Sequence, residues 1–209
     1  MAKKANKKQI VPVVIIIAIT SLIGILGLLL AVTFPFISYL TAKVEITDNI
    51  EKYNDVFGDN AKNEYINKWM NDKDIFPKKI NNKDEVKDFK MVYYNPWDAQ
   101  YLSYLVIDYN EEEYKEEIER LQSVGIGKYE GYYGVTGFTK YELVAMKADS
   151  YNGFIYAITD KDKKEIIYVE IIFCNYFMDL DYNKYINKDY LPDGFDATLE
   201  NPYAKKHSP

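Results

Sequence analysis

A long uncharged stretch near the N-terminus constrains the fold of this chain more than any other feature. No acidic or basic residue occurs from Gln9 to Ala42, and the run from Val11 to Phe36 is almost purely aliphatic. That run exceeds the roughly 20 residues that a helix needs to cross the hydrocarbon of a bilayer. The alternative, a buried helix of a soluble domain, would need a larger surrounding core than the rest of the chain can supply. The pattern therefore predicts a transmembrane helix over residues 10–38.

A signal peptide that is removed after export is the competing interpretation of this stretch. The apolar region of such a peptide has about 7 to 15 residues and ends in a small-x-small cleavage motif. Here the run is longer, and Leu40 stands where a cut after Ala42 would require a small residue. A lipoprotein is excluded because no cysteine lies near the end of the run. We therefore expect an uncleaved signal anchor.

The distribution of charge predicts the orientation of this anchor. Four lysines lie within residues 1–9, whereas all 32 acidic residues follow residue 42. Because positively charged flanks stay on the cytoplasmic side, residues 1–9 should form a cytoplasmic head of a single-pass cell-membrane protein. Without those four lysines the remaining chain has 22 basic and 32 acidic residues, a balance of −10. This acidic, extracytoplasmic part is therefore not expected to bind nucleic acid.

Four small residues share one face of the predicted span at spacings of four, three and four positions. They are Thr20, Gly24, Gly27 and Ala31. Small residues at such spacing let a second helix approach closely, so the stripe predicts a homo-oligomer or a partner membrane protein. The alternative is that glycine and alanine are simply common in membrane helices.

The rest of the chain has the pattern of one α+β domain. Residues 39–85 are polar, with apolar positions at helical spacing, and predict a helical or irregular membrane-proximal region. Residues 86–177 predict the core of an antiparallel sheet with about five strands and packed helical structure. Residues 178–209 predict a C-terminal extension that ends in a basic tail.

Aromatic and β-branched runs separated by turn residues give the expected strands. They cover residues 86–94, 100–109, 141–148, 153–159 and 165–174. A helix is predicted between the second and third strands, where Asn110 is a favourable N-cap and Glu113 completes a capping box. Both faces of the last strand are rich in apolar residues, which indicates a central strand with one side partly in water.

The single cysteine and the single histidine limit the chemistry of the chain. Cys174 alone excludes an intrachain disulfide and a multi-cysteine metal centre. His207 lies in the C-terminal tail, where no acid or nucleophile is expected beside it, so a histidine-dependent catalytic site is disfavoured. We expect no metal and no cofactor, and a non-enzymatic role is favoured.

A glycine-rich stretch from Gly125 to Gly137 contains five of the ten glycines. Loops that bind phosphate follow a strand and begin a helix, whereas this stretch follows the predicted helix, so nucleotide binding is disfavoured. Its tyrosines, with a tryptophan in the turn between the first two predicted strands, form a candidate ligand-binding surface. These candidates are Tyr129, Tyr132, Tyr133 and Trp97. In the alternative interpretation the tyrosines fold inward over the sheet.

The nearest match to a metal site is a partial calcium loop. Asp179, Asp181 and Asn183 occupy the first three ligand positions of an EF-hand loop. Lys184 then replaces the required glycine, and Tyr190 replaces the bidentate glutamate. Because both later positions fail, a solvated acidic surface is favoured over a calcium site.

Glu170 is the one acid whose apolar sequence neighbours predict a perturbed environment. A carboxylate pair can hydrolyse a glycosidic bond without a histidine, but no second acid can be assigned from the sequence. The alternative for Glu170 is a residue on a wet strand face or a hydrogen-bond partner of a tyrosine. The favoured function is therefore an accessory protein that binds a protein or a cell-surface glycan. The alternative is a carboxylate-pair hydrolase that acts on cell-wall or carbohydrate material.

Overall fold

The computed structural model describes residues 7–57, 74–80, 82–96, 99–172 and 180–198. The chain divides into two compact units, residues 1–42 and residues 43–209. The first unit contains one helix, α1, which covers Lys7–Thr41 and extends past both limits of the predicted helix. Within the part of the chain that is described, no helix has the combination of length and apolar character that crossing a membrane requires.

The second unit is an α+β domain with one antiparallel sheet, as predicted, but the sheet has six strands. The strands are β1 (Glu45–Thr47), β2 (Val86–Tyr94), β3 (Gln100–Asp108), β4 (Glu142–Asp149), β5 (Gly153–Asp160) and β6 (Glu165–Ile172). Their order in the sheet is β1-β2-β3-β6-β5-β4. Among the described residues of this unit, the α-helices are α2 (Tyr53–Val56) and α3 (Glu111–Val124), and the 3-10 helices are Ile50–Lys52, Lys83–Glu85, Tyr132–Gly134, Tyr182–Lys184 and Lys188–Tyr190.

The sixth strand, β1, lies in the region predicted to be helical or irregular. It has three residues and pairs with Met91–Tyr93 of β2. A segment this short has too few positions for alternation of apolar and polar residues to become visible. Its strand conformation is decided by the hydrogen-bonding edge of β2, which belongs to a distant part of the chain.

Helix α3 begins and ends where the local sequence predicts. The Asn110 side-chain oxygen accepts hydrogen bonds from the backbone N–H groups of Glu112 and Glu113, both at 3.0 Å. These bonds satisfy two of the donors that every helix start leaves open. Leu121 is fully buried on the sheet-facing side of the helix. The capping residue and the apolar stripe therefore define this helix and its buried face.

The sheet is covered on both faces, so the prediction that one side of β6 is partly in water is wrong. β6 lies between β3 and β5 and is buried along almost its whole length. One face packs against α3 and residues 53–57 and 75–76. The opposite face packs against residues 129–138 and residues 180–198, the C-terminal segment. Because this segment folds back over the sheet, the second face of β6 is closed to water.

Hydrogen bonds to three parts of the sheet domain hold the C-terminal segment in place. At its start, the Leu180 backbone N–H donates to the Gln100 side-chain oxygen at 2.8 Å. Near its middle, the Tyr156 hydroxyl donates to the Tyr190 carbonyl at 2.7 Å. Near its end, the Asp193 backbone N–H donates to the Gly137 carbonyl at 2.8 Å. The described part of the predicted extension is therefore an integral layer of the domain.

Candidate functional site

A surface cleft of about 240 Å³ lies beside α3 and contains a network of hydrogen-bonded polar side chains. We call it the α3 cleft. Its apolar lining includes Pro77, Ile80 and Ile107, and its polar lining includes Tyr109, Glu117 and Arg120. Polar and charged side chains make up eight of its eleven lining residues.

Glu117 is the centre of the network in the α3 cleft. Arg120 donates two hydrogen bonds to its carboxylate, from Nε at 2.7 Å and from Nη2 at 2.6 Å. The Tyr168 hydroxyl donates to the same carboxylate at 2.5 Å, and the Tyr109 hydroxyl lies 2.8 Å from that of Tyr168. The Glu117 side chain is only 13% exposed. Its position is therefore fixed by one cation and a chain of two hydroxyls.

Burial and charge determine the ionisation of this network. Burial, with the neighbouring Tyr109 and Glu117, raises the pKa of the Tyr168 hydroxyl far above its ordinary value. Partial burial disfavours the charged form of Arg120, but the hydrogen bond and the charge of Glu117 outweigh it and raise the Arg120 pKa. At neutral pH the tyrosines are therefore neutral donors and the arginine is a permanent cation.

Arg120 also connects α3 to the segment that precedes the cleft. It donates to the backbone carbonyls of Asp74 and Ile75, the second at 2.8 Å. The helical pattern around Arg120 gives no sign of this bridge, because its carbonyl partners lie 45 and 46 residues away. The signal that could have singled it out is its status as the only arginine of the chain.

The substitution Arg120→Ala should lower the free energy of unfolding by about 2 kcal/mol, because it leaves the Glu117 carboxylate and two carbonyls without these bonds. We place the effect below that of a fully buried ion pair because the Arg120 side chain is 37% exposed. Urea unfolding of the full chain, followed by near-UV circular dichroism, measures the change. Lys115→Ala is the matched control, since its ion pair with Glu111 is exposed. An equal loss in both variants would contradict the structural role of Arg120.

The loop tyrosines differ in their environments. Tyr133 is 1% exposed, and its hydroxyl donates to the Tyr151 carbonyl at 2.9 Å, so it folds inward as a core residue. Tyr129 is half-buried, with its ring 6.1 Å from that of Phe138. Tyr132 is also half-buried, and the ring lies 5.9 Å from the Lys128 ammonium. The structure brings these three residues into one layer over the sheet, and ligand binding by Tyr129 and Tyr132 stays a prediction.

The remaining predicted site residues are Trp97 and the four small residues of the N-terminal helix. Trp97 lies outside the described residues. Thr20, Gly24, Gly27 and Ala31 all lie on the exposed surface of α1. The Thr20 hydroxyl donates to the Ile16 carbonyl of its own helix at 3.0 Å. Pairing of this face with a second helix stays a prediction.

Glu170 is buried instead of lying in an open cleft. It is 2% exposed, and its Oε2 accepts a hydrogen bond from the Ser103 hydroxyl of the adjacent strand β3 at 2.9 Å. It faces the core between the sheet and α3, near Tyr53. The expectation of a wet-face position is wrong, because Ser103 and the covering layer are distant in sequence. A carboxylate enclosed in this way is not placed to reach a polymeric substrate.

The described residues contain no group of three histidine, cysteine or acidic side chains that is arranged to hold a metal ion. Cys174, His207 and Asp179 lie outside the described residues. Comparisons of the chain with protein-family models, with curated proteins and with solved structures find no match. The function of the chain must therefore be inferred from its own residues.

Proposed function

We propose that the protein is a single-pass membrane-anchored accessory protein whose extracytoplasmic domain binds a protein or a cell-surface glycan. Its N-terminus lies in the cytoplasm, and its acidic α+β domain faces outward. The observation that carries this proposal is the uncharged apolar stretch from Gln9 to Ala42, which is longer than a bilayer requires.

Exposed apolar side chains on α1 support the anchor. Leu22, Leu28 and Phe34 are between 67% and 71% exposed, and they point in different directions around the helix. Apolar surface in water costs about 25 cal/mol for each Å², and contact with lipid removes that cost on all sides of a helix at once. The anchor is therefore supported by the absence of charge and by this exposed apolar surface.

The preference for binding over catalysis is supported by the polar groups of the domain. In the α3 cleft, Glu117 is held by Arg120 and Tyr168, an arrangement that fixes geometry and leaves the acid paired with a cation. Glu170, the acid that the sequence suggested for hydrolysis, is enclosed beside Ser103. Ordered polar groups on a rigid sheet domain suit recognition of a ligand.

Membrane retention tests the proposal. After cell lysis and an alkaline carbonate wash, the wild-type chain should stay in the membrane pellet, and protease added to intact cells should remove a tag placed after Pro209. The double variant Ile23→Lys and Leu26→Lys should leave the pellet or be degraded, because each lysine near the centre of a span costs about 3 kcal/mol of insertion free energy.

The double variant Ile23→Ala and Leu26→Ala is the matched control, since it shortens the same side chains without adding charge. It should remain in the membrane pellet with an accessible tag. Release of the wild-type chain by carbonate would contradict the anchor, and a tag that is cleaved only after lysis would contradict the proposed orientation.

A further inference from the structure

We propose that a cleft formed by the C-terminal segment is a carbohydrate-binding site. This inference rests on the proposed function and deepens it, because it selects a glycan as the ligand of the outer domain. The cleft has a volume of about 410 Å³, which lies within the range of about 300–1,000 Å³ for small-molecule sites. We call it the C-terminal cleft. Its lining includes Asp181, Tyr182, Asn183, Phe195, Asp196 and Thr198.

The walls of the C-terminal cleft are held by bonds to the rest of the domain. Next to one wall, the Leu180 backbone N–H is bound by the buried Gln100 side chain at 2.8 Å. On the other wall, the Asp196 backbone N–H donates to the Tyr133 carbonyl at 2.9 Å. Both anchors belong to the sheet domain. The shape of the cleft is therefore set before a ligand arrives, which lowers the entropic cost of binding.

The half-buried Phe195 ring gives the cleft an apolar side, whereas the Tyr182 ring beside it belongs to the core and is only 3% exposed. The rings of Tyr182 and Phe195 lie 6.0 Å apart in an edge-to-face arrangement, and the Phe195 ring also packs at 5.9 Å against Phe154 of the core. Aromatic side chains held in this way combine a large apolar area with a defined orientation. The C–H groups of a sugar ring form an apolar face that can pack against such a surface.

Short polar side chains line the rest of the cleft. Asp181, Asn183 and Thr198 offer carboxylate, amide and hydroxyl groups, and the Asp196 carboxylate is oriented by the Thr198 backbone N–H at 2.8 Å. Carboxylates and amides present planar pairs of hydrogen-bonding atoms, which match the adjacent hydroxyls of a sugar ring. One accessible ring on one side and hydrogen-bonding groups on the other are a combination that suits a sugar.

Other ligand classes fit the C-terminal cleft less well. The carboxylates of Asp181 and Asp196 disfavour a phosphate or another anion. A simple cation would have to compete with the Lys184 ammonium, which lies 3.4 Å from the Asp181 carboxylate. A protein partner usually buries about 800 Å² on each side of an interface, which is more than a single small concavity provides. The observations therefore favour a short saccharide.

Titration of the full chain with defined sugars tests the inference. The protein is held in dodecylphosphocholine micelles, because a detergent with a sugar headgroup would compete for the cleft. The probes are cellotriose, maltotriose, the trimer of N-acetylglucosamine and, for comparison, trilysine, each followed by isothermal titration calorimetry. We expect one of the three trisaccharides to bind, and Asn183→Ala or Asp181→Asn to raise its Kd about tenfold by removing hydrogen bonds to hydroxyls.

Asn54→Ala and Asp162→Asn are the matched controls, since these residues are exposed and lie outside the lining of the cleft. Both should keep the wild-type Kd, and near-UV circular dichroism should show that all four variants remain folded. The inference is overturned if no trisaccharide binds, if the cleft variants keep the wild-type Kd, or if only trilysine binds. Such a failure leaves carbonate-resistant membrane retention unaffected, so it is distinct from failure of the anchor.

Discussion

Above pH 10 the sheet domain should lose stability steeply and unfold, because buried tyrosines cannot ionise in the native state. Burial raises the pKa of Tyr53, Tyr156 and Tyr168 well above the ordinary value of 10.0. All three side chains are at most 2% exposed. Below pH 10 these hydroxyls are protonated in both the folded and the unfolded chain, so they cause no pH dependence there.

Between pH 10 and the raised native pKa, the folded chain keeps protons that the unfolded chain releases. Stability therefore falls as the pH rises, by about 1.4 kcal/mol for each tyrosine and pH unit. Burial also raises the pKa of Tyr104 and Tyr109. Five such residues give a slope of about 7 kcal/mol for each pH unit, against a total stability of about 5–15 kcal/mol for ordinary domains. Tyrosinate absorbance and near-UV circular dichroism should therefore change together in one steep transition.

Tyr156→Phe provides the test of this mechanism. It removes one buried ionisable group, at the cost of the hydrogen bond to the Tyr190 carbonyl, and should make the alkaline transition shallower by about one fifth of its slope. Tyr151→Phe is the matched control, because this tyrosine is 47% exposed and lies outside the buried group. A steep slope that is equally unchanged in both variants would contradict the assignment to buried tyrosines.

Gly153→Ala should cost about 4 kcal/mol of stability or more, the largest effect that we expect from a single added methyl group. Gly153 begins β5 with φ of +138°, and a Cβ at this position would lie 2.0 Å from the Ile171 carbonyl oxygen of β6. The clash is with the backbone of a central strand, which cannot move without breaking its pairing to β3 and β5.

Gly131→Ala measures the cost of a positive φ in the absence of a steric clash. Gly131 also has a positive φ, +84°, but a Cβ there would have no other atom within 4 Å. Its substitution should cost only about 1–2 kcal/mol, the penalty of a left-handed conformation. Urea unfolding of both variants gives the two values. Equal losses would show that conformation alone, and not the approach of β6, determines the requirement for glycine at position 153.

Local sequence patterns were sufficient to predict the elements whose ends are encoded by adjacent residues. β2 has the limits that its aromatic and β-branched run predicts, and α3 begins at the cap that Asn110 provides. The strand ends of β3 and β4 differ from the predicted limits by one residue. In each case the turn or cap that ends the element is encoded by adjacent residues, so the pattern could be interpreted without knowledge of the rest of the chain.

The candidate sites could not be predicted in the same way. The α3 cleft depends on Tyr168 meeting Glu117 across 51 positions, and the burial of Glu170 depends on Ser103 across 67. The C-terminal cleft depends on Gln100 binding Leu180 across 80 positions. Local residue spacing does not reveal any of these pairs, because the two members of each pair come into contact only when the sheet forms.

The amino-acid sequence alone was enough to define the uncharged N-terminal stretch, the α+β class and the position of α3, because charge, alternation and capping act over a few neighbouring residues. The tertiary structure decided which polar residues became buried and which lined a cleft. It assigned Tyr133 to the core and Arg120 to a bridge, and it closed the second face of the sheet with residues 180–198. Those outcomes depend on contacts between segments that are distant in sequence and that meet only in the folded chain.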